Sequence, residues 1–227
     1  MIPPLHIITD EAILTRQGFL SQARKLMATG GPRVALHLRG PGLGGRRIFE
    51  LAEALRDHGR EARCLLLVND RLDVALSLDL PGVQLGQRSL PPGVARELLG
   101  PARTIGLSVH SRMEGEGGRR GEVDFLLVGT LFSTPSHPEG RPGGVGRLKE
   151  VGELDPPPMV GIGGITPGRV KEVLEAGALG VAVRGGVWER PDPAAAAGVY
   201  LRELAHCVAK TPAPGGNEGS GDGHDRS

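Results

Sequence analysis

Short apolar runs alternate along the chain with stretches in which apolar residues recur every three or four positions. The runs Leu5 to Thr9, Val34 to Arg39, Cys64 to Val68, Gly82 to Gly86, Thr104 to His110, Asp124 to Val128, Met159 to Ile162 and Gly180 to Val183 read as strands. Between them lie helical patterns, such as Ile48, Leu51, Ala52 and Leu55, with the last helix covering about Ala194 to Ala209. Strand followed by helix, repeated to the end of the chain, predicts an α/β protein: one (β/α)8 TIM barrel over residues 1–210. Thr211 to Ser227 is rich in Gly, Pro, Ser and charge, has no apolar face, and is expected to be a disordered tail. An open doubly wound sheet would need a glycine fingerprint after the first strand, and Thr9-Asp10-Glu11 is not one.

Two strand ends break into glycine. Met159-Val-Gly-Ile162 runs into Gly163-Gly164, and Thr166-Pro167 then opens a helical segment; Gly180-Val-Ala-Val183 runs into Arg184-Gly185-Gly186. One such turn could simply let a helix pack tightly on a strand. Two in series resemble the paired phosphate site after the last two strands of a barrel, with free backbone amides at each helix start.

With a net charge of +1 and 3% aromatics, nothing in the composition points to nucleic acid or an anionic membrane. No segment is long and apolar enough to span a bilayer and no signal core is present, so a cytoplasmic protein is expected. Cys64 and Cys207 suggest neither a metal pair nor a disulfide framework. Polar residues gather at the predicted strand C-termini: Arg39, Asn69, Asp70, Gln84, Ser108, His110, Thr130, Thr134 and Arg184. On a barrel these ends converge on one mouth. Alternation puts Ala35, His37 and Arg39 on one face of their strand, and Gly106, Ser108 and His110 on one face of theirs. Asn69 or Asp70 could instead cap the next helix, and His110 could be a hydrogen-bonded rim residue or a proton carrier. His37 reads as a pocket wall or core residue; His6, His58, His206 and His224 show no evident partners.

Taken together, Ile7-Ile-Thr-Asp10, Leu36-His-Leu-Arg39, Val68-Asn-Asp-Arg-Leu-Asp-Val-Ala75, Gly82-Val-Gln-Leu-Gly-Gln87, Gly106-Leu-Ser-Val-His-Ser111, Val128-Gly-Thr-Leu-Phe-Ser-Thr134, Gly161-Ile-Gly-Gly-Ile165 and Gly180-Val-Ala-Val183 resemble the thiamine phosphate synthase and TenI superfamily of small barrels. That resemblance implies one of two activities. Synthases couple a pyrimidine diphosphate to a thiazole phosphate with magnesium and a diphosphate clamp; TenI-type tautomerases aromatise a carboxythiazole phosphate without metal.

Against the synthase pattern, Pro41 and His137 stand where the family has lysines, and Ser89 stands where it has a second magnesium-binding aspartate; Asp70 matches the first. The resemblance also places Gly164, Arg184 and Gly185 on the substrate phosphate, where Gly163 of the same turn is expected as well, and Ser108 in the ligand site. His110 falls on the proton-transfer position, and Gln84 is TenI-like. Arg39 or His37 would receive the substrate carboxylate, with Asn69 and Thr134 completing the substrate site.

The expected function is therefore a TenI-like thiazole tautomerase, an isomerase in thiamine biosynthesis that uses His110 and no cofactor. One alternative is a divergent magnesium-dependent synthase in which Arg88, His137 or Arg141 replaces the missing groups. The other is a non-catalytic barrel that binds thiazole or thiamine phosphates. The expected partner is a small thiazole phosphate, and homo-oligomers occur in the family.

Overall fold

In the computed structural model, which describes residues 1–118, 121–134 and 141–210, the apolar runs become eight parallel strands, hydrogen-bonded in chain order and closed into a barrel. The strands are β1 (Leu5–Ile8), β2 (Val34–Leu38), β3 (Leu65–Asn69), β4 (Gly82–Leu85), β5 (Thr104–Val109), β6 (Phe125–Val128), β7 (Met159–Ile162) and β8 (Gly180–Val183). Helices α1 (Glu11–Leu14) and α2 (Phe19–Gly30) follow β1; α3 (Gly45–Ala62), α4 (Leu72–Ser77) and α5 (Pro92–Leu99) follow β2, β3 and β4. After β5, β6 and β7 come α6 (Arg112–Gly115), α7 (Gly146–Gly152) and α8 (Val170–Glu175), and β8 leads into α9 (Gly185–Trp188) and α10 (Pro193–Lys210).

Between β1 and β2 the chain forms two helices, because it turns at Gly18, whose φ is +83°. The tail from Thr211 lies outside the described residues, as do residues 135–140 of the loop after β6. Among the described residues no helix is long and apolar enough to cross a membrane, and neither Cys64 nor Cys207 is in a disulfide.

The larger core lies between barrel and helices, where Leu36, Leu38, Leu51, Leu55 and Val83 pack. A separate cluster of Ile8, Leu67, Phe125, Leu127, Val160 and Ala182 fills the barrel itself. In a barrel of this kind the inward side chains form layers of four drawn from alternate strands. Applied to the observed registers, the floor is Ala35, Gly82, Phe125 and Gly180, and above it lie His6, Leu67, Gly106 and Val160. His37, Gln84, Leu127 and Ala182 come next, then Ile8, Asn69, Ser108 and Ile162.

Measured contacts agree with this stacking. The His6 ring lies 4.9 Å from that of Phe125 and 5.1 Å from that of His37. Gly106 is required where it stands: a Cβ there would sit 2.2 Å from Gln84 Oε1 and 2.3 Å from the Phe125 ring.

The upper layers divide into two walls. From β2 to β5 the inward residues are His37, Asn69, Gln84 and Ser108; from β6 round to β1 they are Leu127, Ile162, Ala182 and Ile8. The C-terminal end of the barrel thus has one polar and one apolar side.

Candidate active site

The apolar side of the mouth carries the glycine turns. Gly163 and Gly164 adopt φ of +103° and +64°, a backbone region open to glycine and costly for most residues. A Cβ on Gly164 would lie 2.5 Å from Ser133 O, so the loop leading to Thr134 runs directly over the turn. From the opposite side Tyr200 of α10 donates to Ile165 O at 3.0 Å and fixes the turn's far end.

Arg184 reaches the rim between β8 and α9, next to Gly185, with about a quarter of its side chain exposed. Its Nη1 is paired with Asp10 Oδ2, and its Nη2 donates to Glu189 Oε1 at 3.3 Å. Asp10 also caps α1 through the Ile13 amide at 2.9 Å. The guanidinium is therefore shared between two carboxylates. The sequence reading missed Asp10; closure of the barrel, which sets the end of β1 beside that of β8, is the signal that leads to it.

The polar side is built from β2 to β5. Asn69 and Gln84 are register partners, and Gln84 Nε2 donates to Ser108 Oγ at 3.0 Å. Gln84 is fully buried. Asp70 follows β3 with φ +62°, and its Oδ1 accepts from the Gly86 amide at 3.1 Å and from the Ser89 hydroxyl. The helix-capping alternative for Asp70 is not realised, because α4 begins without a side-chain cap.

Arg39 stands at the end of β2, half-buried, and its guanidinium forms no hydrogen bond or ion pair among the described residues. Beyond it the segment Gly40 to Gly44 leads into α3, whose N-terminus has neither a side-chain cap nor an acidic residue in its first turn. α3 starts on the side of the barrel where β2 ends, with the Arg71 guanidinium close to Gly45. Arg88 and Arg141 are exposed, and His137 lies outside the described residues.

His37 is not at the rim. It is fully buried inside the barrel, its Nε2 2.9 Å from His6 Nδ1, while His6 Nε2 lies 3.0 Å from Pro3 O. Burial lowers the His6 pKa to about 3. Burial, followed by repulsion from His6, holds that of His37 well below its ordinary 6.5. A neutral, enclosed His37 is no receptor for a carboxylate, so that expectation rests on Arg39 alone. His110 is exposed at the rim, and its Nδ1 lies 2.8 Å from Gly129 O, an acceptor only, so Nδ1 carries the proton.

A groove of about 600 Å³, lined by Lys149, Glu153, Pro157, Met159 and Gly177, opens where the strands begin; none of the residues above lines it.

Residues 5–187 match the thiamine monophosphate synthase family, TMP-TENI. The chain is 38% identical over 193 residues to a thiamine-phosphate synthase of Roseiflexus castenholzii, covering 85% of this chain and 84% of that one. A thiamine-phosphate synthase of Methanoculleus marisnigri is 38% identical over 212 residues, covering 93% and 98%. Among solved structures, the thiamine phosphate pyrophosphorylase of Pyrococcus furiosus superposes with a TM-score of 0.77 at 31% identity, covering 90% and 96%.

These relatives overturn the expected tautomerase. Two are named as thiamine-phosphate synthases, which are transferases, and the third as a thiamine phosphate pyrophosphorylase; none of the three is named as an isomerase. The sequence reading gave too much weight to Gln84 and His110, residues that line or rim the barrel without specifying a reaction. The chain belongs to the thiamine monophosphate synthase family of (β/α)8 barrels.

Proposed function

We propose that the protein is a thiamine-phosphate synthase, joining a pyrimidine diphosphate to a thiazole phosphate with release of diphosphate. The observation that carries this reading is the presence of two anion-handling ends on opposite sides of one mouth. The glycine turn with Arg184 lies at β7 and β8; Arg39, the open start of α3 and Asp70 lie at β2 and β3. A carboxythiazole phosphate also carries two anionic groups, so the assignment of the Arg39 end to a diphosphate rests on the synthase relatives.

In this reading Gly163, Gly164, Arg184 and Gly185 hold the thiazole phosphate, and the space between the two ends takes the pyrimidine ring. A bond forms between the thiazole and the carbon carrying the diphosphate while the carbon–oxygen bond to diphosphate breaks. Negative charge gathers on the departing group, where Arg39 and the first amides of α3 stabilise it.

The family implies magnesium. Asp70 and Ser89 already bring two oxygens into contact, and this ion is commonly held by one or two carboxylates and completed by substrate phosphates. The pair therefore fits an ion delivered with the diphosphate, although no larger ligand cluster exists among the described residues. Bound there, magnesium would neutralise charge on the leaving group. The protein's own part is to hold Asp70 in position through Gly86 and Ser89.

The test is to incubate purified protein with both substrates and magnesium. Diphosphate release that requires all three is expected; no release overturns the reading. Arg184→Ala is expected to raise KM for the thiazole phosphate roughly 10–100-fold, the range of one charge-assisted hydrogen bond, and to leave kcat nearly unchanged. Steady-state kinetics with the thiazole phosphate varied would check this, and an unchanged KM would remove Arg184 from the phosphate site.

A further inference from the structure

The two glycine turns belong to different strands, and one side chain reaches both. Helix α10 packs on α8 and α9, the helices that follow the two turns, so a residue on its inner face can bridge them. Tyr200 is that residue: it is buried, and its hydroxyl donates to Ile165 O at 3.0 Å. The same hydroxyl lies against the second turn, where a Cβ on Gly186 would sit 2.2 Å from its oxygen and 3.2 Å from Cζ. Gly186 has no positive φ, so what calls for glycine there is the closeness of this approach. Burial raises the Tyr200 pKa above its ordinary 10, which keeps the hydroxyl protonated and a donor at neutral pH.

Around the first turn the carbonyls are held and the amides are left free. Gly163 O accepts from the Phe132 amide at 3.0 Å, Gly164 O from Arg169 Nη1 at 3.1 Å, and Ile165 O from Tyr200. The amides of Gly164, Ile165 and Thr166 have no acceptor among the described residues. In a trans peptide the N–H points opposite to the C=O, so the bond from Tyr200 turns the Thr166 amide away from α10. Successive free amides of this kind suit an anion.

We propose that Tyr200 is a positioning residue that sets the two turns against each other, so that the amides after β7 and Arg184 with Gly185 after β8 grip one phosphate together. Tyr200 touches no substrate itself. This rests on the reading that these turns hold the substrate phosphate, and not on which reaction follows.

The test titrates the full chain, labelled with ¹⁵N, with inorganic phosphate. In the wild type the amides of Gly164, Thr166 and Gly185 are expected to shift along one binding curve. Tyr200→Phe removes only the hydroxyl and should weaken phosphate binding roughly 3–10-fold, the range of one neutral hydrogen bond. In steady-state assays it should raise KM for the thiazole phosphate by the same factor and leave kcat and the KM for the pyrimidine diphosphate unchanged. General loosening of the barrel would not give that split. Gly186→Ala should weaken phosphate binding more in the wild type than in Tyr200→Phe, because the added methyl meets the hydroxyl only where there is one.

Unchanged phosphate affinity in Tyr200→Phe, a parallel rise in KM for both substrates, or additive effects of the two substitutions would overturn the proposal. Should Tyr200→Phe fail to fold, the wild type and Gly186→Ala decide it: separate binding curves for the two turns, or wild-type phosphate affinity in Gly186→Ala, overturn it. A wild type that binds no phosphate would reject the phosphate reading of the turns as well. Absence of diphosphate release would reject only the synthase reading and leave the titration standing.

Discussion

Replacing Asp70 by asparagine is expected to slow diphosphate release by roughly 100–1,000-fold, because the mouth would lose its only proposed metal-binding carboxylate. Asparagine is the informative change. It tolerates the left-handed backbone at this position, where φ is +62°, whereas alanine would add strain unrelated to the chemistry. Its amide oxygen can still accept from Gly86 and Ser89, so the loop between β4 and α5 keeps its shape and only the charge is removed. Initial rates over a range of magnesium concentrations, with thermal melting as the control for folding, would check it. Full activity in Asp70→Asn would mean that the diphosphate is handled by Arg39 and α3 alone.

Stability is expected to fall steeply between pH 7 and pH 5. His6 and His37 are neutral in the folded barrel, His6 with a pKa near 3 and His37 held well below 6.5, whereas in the unfolded chain both titrate near 6.5. Below that value the unfolded state binds protons that the folded state refuses, so lowering the pH favours unfolding. The slope is about 1.4 kcal/mol per pH unit for each histidine, or about 2 kcal/mol apiece by pH 5. Carboxylates held low by partners, Asp73 by Arg71 and Asp192 by Lys25, titrate below their ordinary 3.8, outside this window. Urea unfolding at pH 7 and pH 5 would measure the difference; a flat profile would mean that the histidines are hydrated in the folded state.

Much of the architecture was legible from hydrophobic pattern alone. Each strand was found to within about two residues, as expected when buried parallel strands stand out as apolar runs between periodic helices. Parity grouped His37 with Ala35 and Ser108 with Gly106, on the strand faces that line the barrel. What the pattern does not carry is register. The bond between His6 and His37 joins residues 31 apart, and it exists because His6 pairs with Ala35 and Ile8 with His37. His6 therefore seemed partnerless in the sequence. The pairing of Arg184 with Asp10, 174 residues apart, is set in the same way by closure of the first strand on the last. Ser89 read as the loss of a ligand, whereas its hydroxyl bonds to the aspartate that remains.

The division of the barrel's C-terminal end into a polar side from β2 to β5 and an apolar side from β6 to β1 makes the two halves of the barrel separable as units of inheritance. In the proposed synthase the diphosphate end would lie in the first half and the grip on the thiazole phosphate in the second. A chimera that takes β2 to β5 from a relative would exchange one preference and keep the other, so each half can drift toward a new substrate without undoing its neighbour's work.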